Sequence, residues 1–235
     1  MVAELFGIQH FIYIGISTII GGGGLFLAYK FAKTEKTQNI ILKVLAALLF
    51  VAIMTNRLSQ VFRYDTVRWY CIIPESFCGM TSLVLSLAVL LGKKDNPVLH
   101  FTWLLGIFGG ISTVIYATFL DQGPTIFYLP TISGLLHHSL SAMVVVALLM
   151  FKQIDITYKK WYYTLFGFTC YLTLGAFMMQ TFDLSDAFHI AEPLLPGTPL
   201  TAWVMAPMYA GAYAIILIVV EIIKRRKQKT KTPSN

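Results

Sequence analysis

The sequence predicts an all-α polytopic membrane protein with seven transmembrane helices, the N-terminus outside and the C-terminus cytoplasmic. Three observations predict it. First, 57% of the 235 residues are hydrophobic and 12% are charged, against about a quarter charged in a soluble domain. Second, seven apolar stretches approach the roughly 20 residues that cross about 30 Å of hydrocarbon. Third, the charges divide by side of the membrane. The same composition excludes an ordinary cytosolic enzyme, a disordered chain and a nucleic-acid-binding domain. The net charge of +7 is no DNA signal, because six basic residues form one C-terminal run after an apolar segment.

The spans lie near 8–30, 40–62, 75–91, 98–119, 131–151, 161–181 and 200–223. The first carries the run Gly21 to Gly24, and the fourth carries Gly106, Gly109 and Gly110. Small residues let membrane helices approach closely, so these glycines read as packing positions. The third opens at Pro74, which suits a first helical turn because its missing N–H would be unpaired there. Between the sixth and seventh, Pro193, Pro196, Gly197 and Pro199 argue against a continuous helix. The seventh lacks an interior Lys for a Schiff base, which argues against a retinal protein. Residues 1–223 read as one transmembrane domain and 224–235 as a basic cytoplasmic tail resting on anionic lipid.

With seven spans the two ends lie on opposite sides. Loops on one side, with the tail, hold 15 of the 18 basic residues, from Lys30 to Lys231. That side is cytoplasmic by the positive-inside rule. The other holds Arg57, Arg63 and Arg68 and seven of the eleven acids: Glu4, Asp65, Glu75, Asp121, Asp183, Asp186 and Glu192. The first 29 residues have no basic n-region, so no cleavable signal peptide is expected. Three cysteines make no disulfide framework, and no CxxC or CxxH spacing suggests zinc. No metal, cofactor or nucleic-acid partner is expected. Protein partners are unknown, and the expected location is the cell membrane.

Ionisable groups inside a membrane are expensive, so each is a candidate site residue. This topology puts His10, Asn56, Arg57, Glu75, Ser76, Cys78, His137, His138, Gln180 and Asp183 in one layer near the outer surface. Polar side chains from five spans at one depth point to a shared cavity open to the outer leaflet. The competing reading is that interface residues are polar anyway and Arg57 snorkels. Cys78 lies within a turn of a helix start, where the dipole's positive end favours an anion; equally, it is a small packing residue. His137 and His138 point about 100° apart, so one at most should face the cavity squarely. A Cys and a His at one depth make a possible nucleophile and general base. Arg57 suits a phosphate or carboxylate, or an ion pair with Asp65 or Glu75.

Several short motifs add a resemblance. Phe6-Gly7-Ile8-Gln9-His10, Asn56-Arg57, Ile73-Pro74-Glu75-Ser76-Phe77-Cys78 and Leu136-His137-His138-Ser139-Leu140 resemble segments of the YwaF-like integral membrane proteins of bacteria. Those are related to a vertebrate transmembrane acyltransferase that remodels ether phospholipids. The resemblance covers most of the chain. It implies a Cys-His acyltransferase of lipid metabolism, acting on a phospholipid or lysophospholipid. By it, Cys78 carries the acyl group and His138 is the histidine counterpart. Two positions depart from the pattern: Ser76 stands where the family has a His, and the Asn expected after span six is replaced in a region holding Asp183, Ser185 and Asp186. The alternative is a transporter or binding protein for small molecules or lipids, using the same pocket without covalent chemistry. A structural or signalling subunit is a third reading.

Overall fold

The computed structural model describes residues 6–63, 65–117, 120, 123 and 125–229. Glu4, Asp121 and tail residues 230–235 lie outside the described residues. Among the described residues there is no strand. Seven α-helices follow one another: α1 (Ile8–Phe31), α2 (Glu35–Val61), α3 (Phe77–Leu91), α4 (Pro97–Ile115), α5 (Leu129–Met150), α6 (Tyr162–Phe182) and α7 (Ala202–Lys229). Six are long and apolar enough to cross a membrane. The exception is α3, whose 15 residues reach about 22 Å at 1.5 Å per residue.

Caps set several boundaries that apolar content alone misplaces. Thr34 accepts a hydrogen bond from Thr37 N, so α2 starts at Glu35, five residues before its apolar stretch. Ser76 accepts from Gly79 N, so α3 starts at Phe77 and Pro74 lies ahead of the helix, not in its first turn as expected. Asn96 accepts from Val98 N and Leu99 N, with Pro97 in the first turn of α4. Each such cap contributes about 1 kcal/mol. α4 ends at Ile115, short of the expected 119, with the Tyr116 N–H bonded back to Ser112 O.

The chain forms two compact units, Met1–Ile154 and Asp155–Asn235. In the first, α5 packs against α1, α2, α3 and α4. Leu49 and Ile53 of α2, Leu85 of α3, and Leu135, Val144 and Val145 of α5 are buried there. Glycines bring α4 close. A methyl group on Gly110 would lie 2.6 Å from His138 O, and one on Gly106 would lie 3.0 Å from Val145 Cγ2. In the run on α1 only Gly21 has a close neighbour, Met143; Gly22, Gly23 and Gly24 meet nothing within 4 Å. Much of α1 is exposed apolar surface, including Ile8, Ile12, Ile16, Ile19 and Ile20. So broad an apolar face needs an apolar surrounding.

In the second unit α6 ends where Asp183 adopts a left-handed conformation (φ 52°). The following segment is non-helical up to α7, and Phe188 from it is buried with its ring 5.4 Å from that of Tyr171. Lys224 donates to Asp155 Oδ1 at 2.7 Å and to Ile156 O at 2.9 Å. Of the basic tail, Lys224, Arg225 and Arg226 are the final turns of α7 and not a separate segment.

Candidate functional site

The polar residues of the first unit meet where α2, α3 and α5 come together. Asn56 is buried on α2, and its amide donates across to Pro130 O at 3.1 Å and Ser133 Oγ at 3.2 Å on α5. Its oxygen accepts from Arg57 Nη2 at 2.8 Å and Nε at 3.3 Å. Asn56 therefore ties two helices together and holds the guanidinium beside it. This satisfies an amide whose burial unpaired would be costly.

Arg57 and Asn56 line a cavity of about 90 Å³ together with Gln60, Ser76, His137 and His138. At about 30 Å³ per water, three waters fill that volume. Both histidines line it, although adjacent helix positions point apart; their rings approach to 4.2 Å between centroids. His137 Nδ1 shares a 3.1 Å hydrogen bond with Ser82 Oγ of α3.

Cys78 and His138 converge on one residue of α4. The His138 side chain is hydrogen-bonded to the backbone of Gly109. The Cys78 sulfur lies where a side chain on Gly109 would begin, 2.8 Å from a hypothetical Cβ. Cys78 is partly buried in the first turn of α3 and forms no disulfide. Among the described residues no hydrogen bond joins its thiol to either imidazole. A neutral imidazole that donates from one ring nitrogen keeps a lone pair on the other, so His138 can still accept a hydrogen bond.

None of the remaining candidates lines this cavity. His10 is buried on α1, where Nε2 bonds Val114 O of α4 at 2.8 Å and Nδ1 accepts from Phe6 N at 3.1 Å. It fastens α1 to α4 and does not line the cavity. Glu75 is exposed just ahead of α3. Gln180 and Asp183 are exposed at the end of α6, in the second unit. Among the described residues no group of three or more metal-ligating side chains occurs.

Sequence reasoning missed Ser82, Ser133 and Gly109. A signal for two of them lies in the spacing: Ser82 is four residues after Cys78, and Ser133 four before His137. Each pair therefore shares one helix face. No such signal marks Gly109, one glycine among the 17 in the chain.

No curated protein and no solved structure matches the chain. A family model, that of the TMEM164 family, matches residues 5–223, nearly the whole helical region. With six helices long and apolar enough to cross a bilayer, the chain is a multi-pass membrane protein and belongs to the TMEM164 family.

Proposed function

We propose that this protein is an intramembrane acyltransferase that moves a fatty acyl group between phospholipids or lysophospholipids through a thioester on Cys78. One observation carries the reading: the Cys78 thiol and the His138 imidazole both rest on Gly109, with the Arg57 cavity beside His138. The motif resemblance to YwaF-like proteins supports the same chemistry.

In the first half-reaction His138 takes the Cys78 thiol proton as the sulfur attacks the ester carbonyl. The C–O bond to glycerol breaks, the leaving oxygen receives that proton, and a lysolipid departs. In the second half an acceptor hydroxyl gives its proton to His138 and attacks the thioester, and the released sulfur recovers the proton. Arg57, oriented by Asn56, binds the lipid phosphate through its planar fork. Cys78 does not line the Arg57 cavity, so the phosphate occupies the cavity while the reacting ester extends past His138 toward Gly109 and the acyl chains remain in the bilayer. If α3 also crosses, the charge division favours an outside N-terminus, and on that reading this chemistry takes place at outer-leaflet level in the cell membrane.

The test is acyl exchange by the purified full-length chain in liposomes, with a labelled-acyl phospholipid donor and a lysophospholipid acceptor. Cys78→Ala should reduce transfer to background. His138→Ala should reduce it about 100-fold or more, and Arg57→Gln should raise KM more than it lowers kcat. Undiminished transfer by folded Cys78→Ala protein would refute the proposal.

The Ser82–His137 hydrogen bond favours a second reading. There the Ser82 hydroxyl attacks, His137 accepts its proton, and the acyl group rests on oxygen as an ester. The two readings differ in the lability of the intermediate.

A further inference from the structure

At the opposite end of the α2–α5 bundle lies a second polar cavity, larger than the first, at about 230 Å³. Fourteen residues of α2 separate Lys43, on its wall, from Arg57, about 21 Å at 1.5 Å per residue. Lys43, Lys93 and Lys94 line it with one acid, Glu35. Lys94 pairs with Glu35 at 3.4 Å. Among the described residues Lys43 and Lys93 have no acidic partner. The pocket therefore carries two uncompensated positive charges. Gln153 also lines it, 5% exposed, and its side-chain Nε2 is buried without an acceptor. A buried amide donor left unpaired is unfavourable, and an anionic oxygen at this wall would relieve it.

The walls are held firmly. Asp95 N donates to Gln153 O at 2.9 Å, joining the α3–α4 turn to the segment after α5. Asn96 Nδ2 donates to Lys93 O at 2.7 Å, and Asp95 Oδ1 bonds the buried His100 at 2.7 Å. Asp95 (φ 58°) and Lys152 (φ 53°) adopt left-handed backbone conformations, which are unfavourable for non-glycine residues. Both adjoin residues that line the cavity. Leu42, Leu99 and Leu148 supply an apolar side.

We infer that this pocket is a binding site for a phosphate group, with Lys43 and Lys93 neutralising the anion and the Gln153 amide donating to one of its oxygens. The shared chemistry is the phosphate; its source is a lipid head group or a soluble phosphate. The inference stands apart from acyl transfer and does not involve Cys78.

The test titrates the purified full-length chain, in non-ionic detergent, with dioctanoyl phosphatidic acid, with inorganic phosphate, and with dioctanoylglycerol as the phosphate-free control. Saturable binding of phosphatidic acid alone supports a lipid source, and binding of inorganic phosphate as well supports a soluble one. In either case the double variant Lys43→Gln, Lys93→Gln should weaken binding about tenfold or more, roughly one strong charged contact, and Gln153→Leu several-fold. The control pair Lys159→Gln, Lys160→Gln removes equal charge from the other unit and should change nothing, as should Cys78→Ala. Absence of binding by both phosphates overturns the inference. So does equal binding by the Lys43, Lys93 variant, or an equal loss in the control pair.

Discussion

Asn56 places both ends of its amide in use, across to α5 and back to Arg57. Asn56→Leu keeps the volume and removes every one of these bonds. It should lower thermal stability by about 1–3 kcal/mol, and weaken lipid binding by loosening Arg57; the melting temperature in detergent and KM for the donor read the two effects. Cys71, in the turn Trp69–Ile72 before α3, gives a pH-dependent prediction. Burial pushes its thiol up from the ordinary range, and the nearby Glu75 carboxylate adds to the shift, while Arg57 and Arg68 oppose it. The thiolate that alkylates is therefore scarce at neutral pH and accumulates as pH rises. Glu75→Gln removes one upward push, so iodoacetamide should modify Cys71 faster at any fixed pH below full ionisation. Mass spectrometry of the Cys71 peptide across pH 7 to 10 checks this. At this scale Asn56, Arg57 and the two histidines were legible because polar groups stand out in apolar helices. Ser82 and Gly109 were not, because small residues are common in every packed membrane helix and only tertiary contacts single one out.

Helix α4 owes its position to two glycine faces. Gly106 and Gly110 admit α5, and Gly109 admits the Cys78 sulfur of α3. A methyl group on Gly110 would meet a backbone carbonyl, which cannot move aside cheaply. Gly110→Ala should therefore destabilise the first unit by about 1–3 kcal/mol. Gly22→Ala, in open space on α1, should leave stability unchanged or raise it slightly, since Ala is the better helix former. Paired melting curves in one detergent decide between the two sites. The existence of all seven helices follows from apolar runs alone, because an unbroken apolar segment leaves the backbone few alternatives. Their ends do not, because Thr34, Ser76 and Asn96 act through single side-chain hydrogen bonds. The run of glycines on α1 shows the converse: a conspicuous motif of which only Gly21 makes a close contact.

For the molecule as a whole, the division of charge predicts how the chain lies in its membrane. A single cysteine introduced at Asp65, exposed between α2 and α3, should react with an impermeant maleimide on intact cells. One introduced at Lys159, between α5 and α6, should react only after permeabilisation; the reverse pattern would invert the proposed orientation. Composition reveals the membrane class, yet it cannot reveal that α3 is short or that the second polar cavity exists, since both depend on where loops turn. The proposed acyl transfer rests on a sulfur and an imidazole that each contact Gly109. Its most direct test is to trap the intermediate: purified full-length chain, a phospholipid donor with an alkyne-tagged acyl chain, no acceptor, and peptide mass spectrometry before and after neutral hydroxylamine. A tagged acyl group on the Cys78 peptide, released by hydroxylamine and missing in Cys78→Ala, is the predicted result. A hydroxylamine-resistant adduct on Ser82, or no adduct under conditions where the lipids exchange acyl chains, would contradict it.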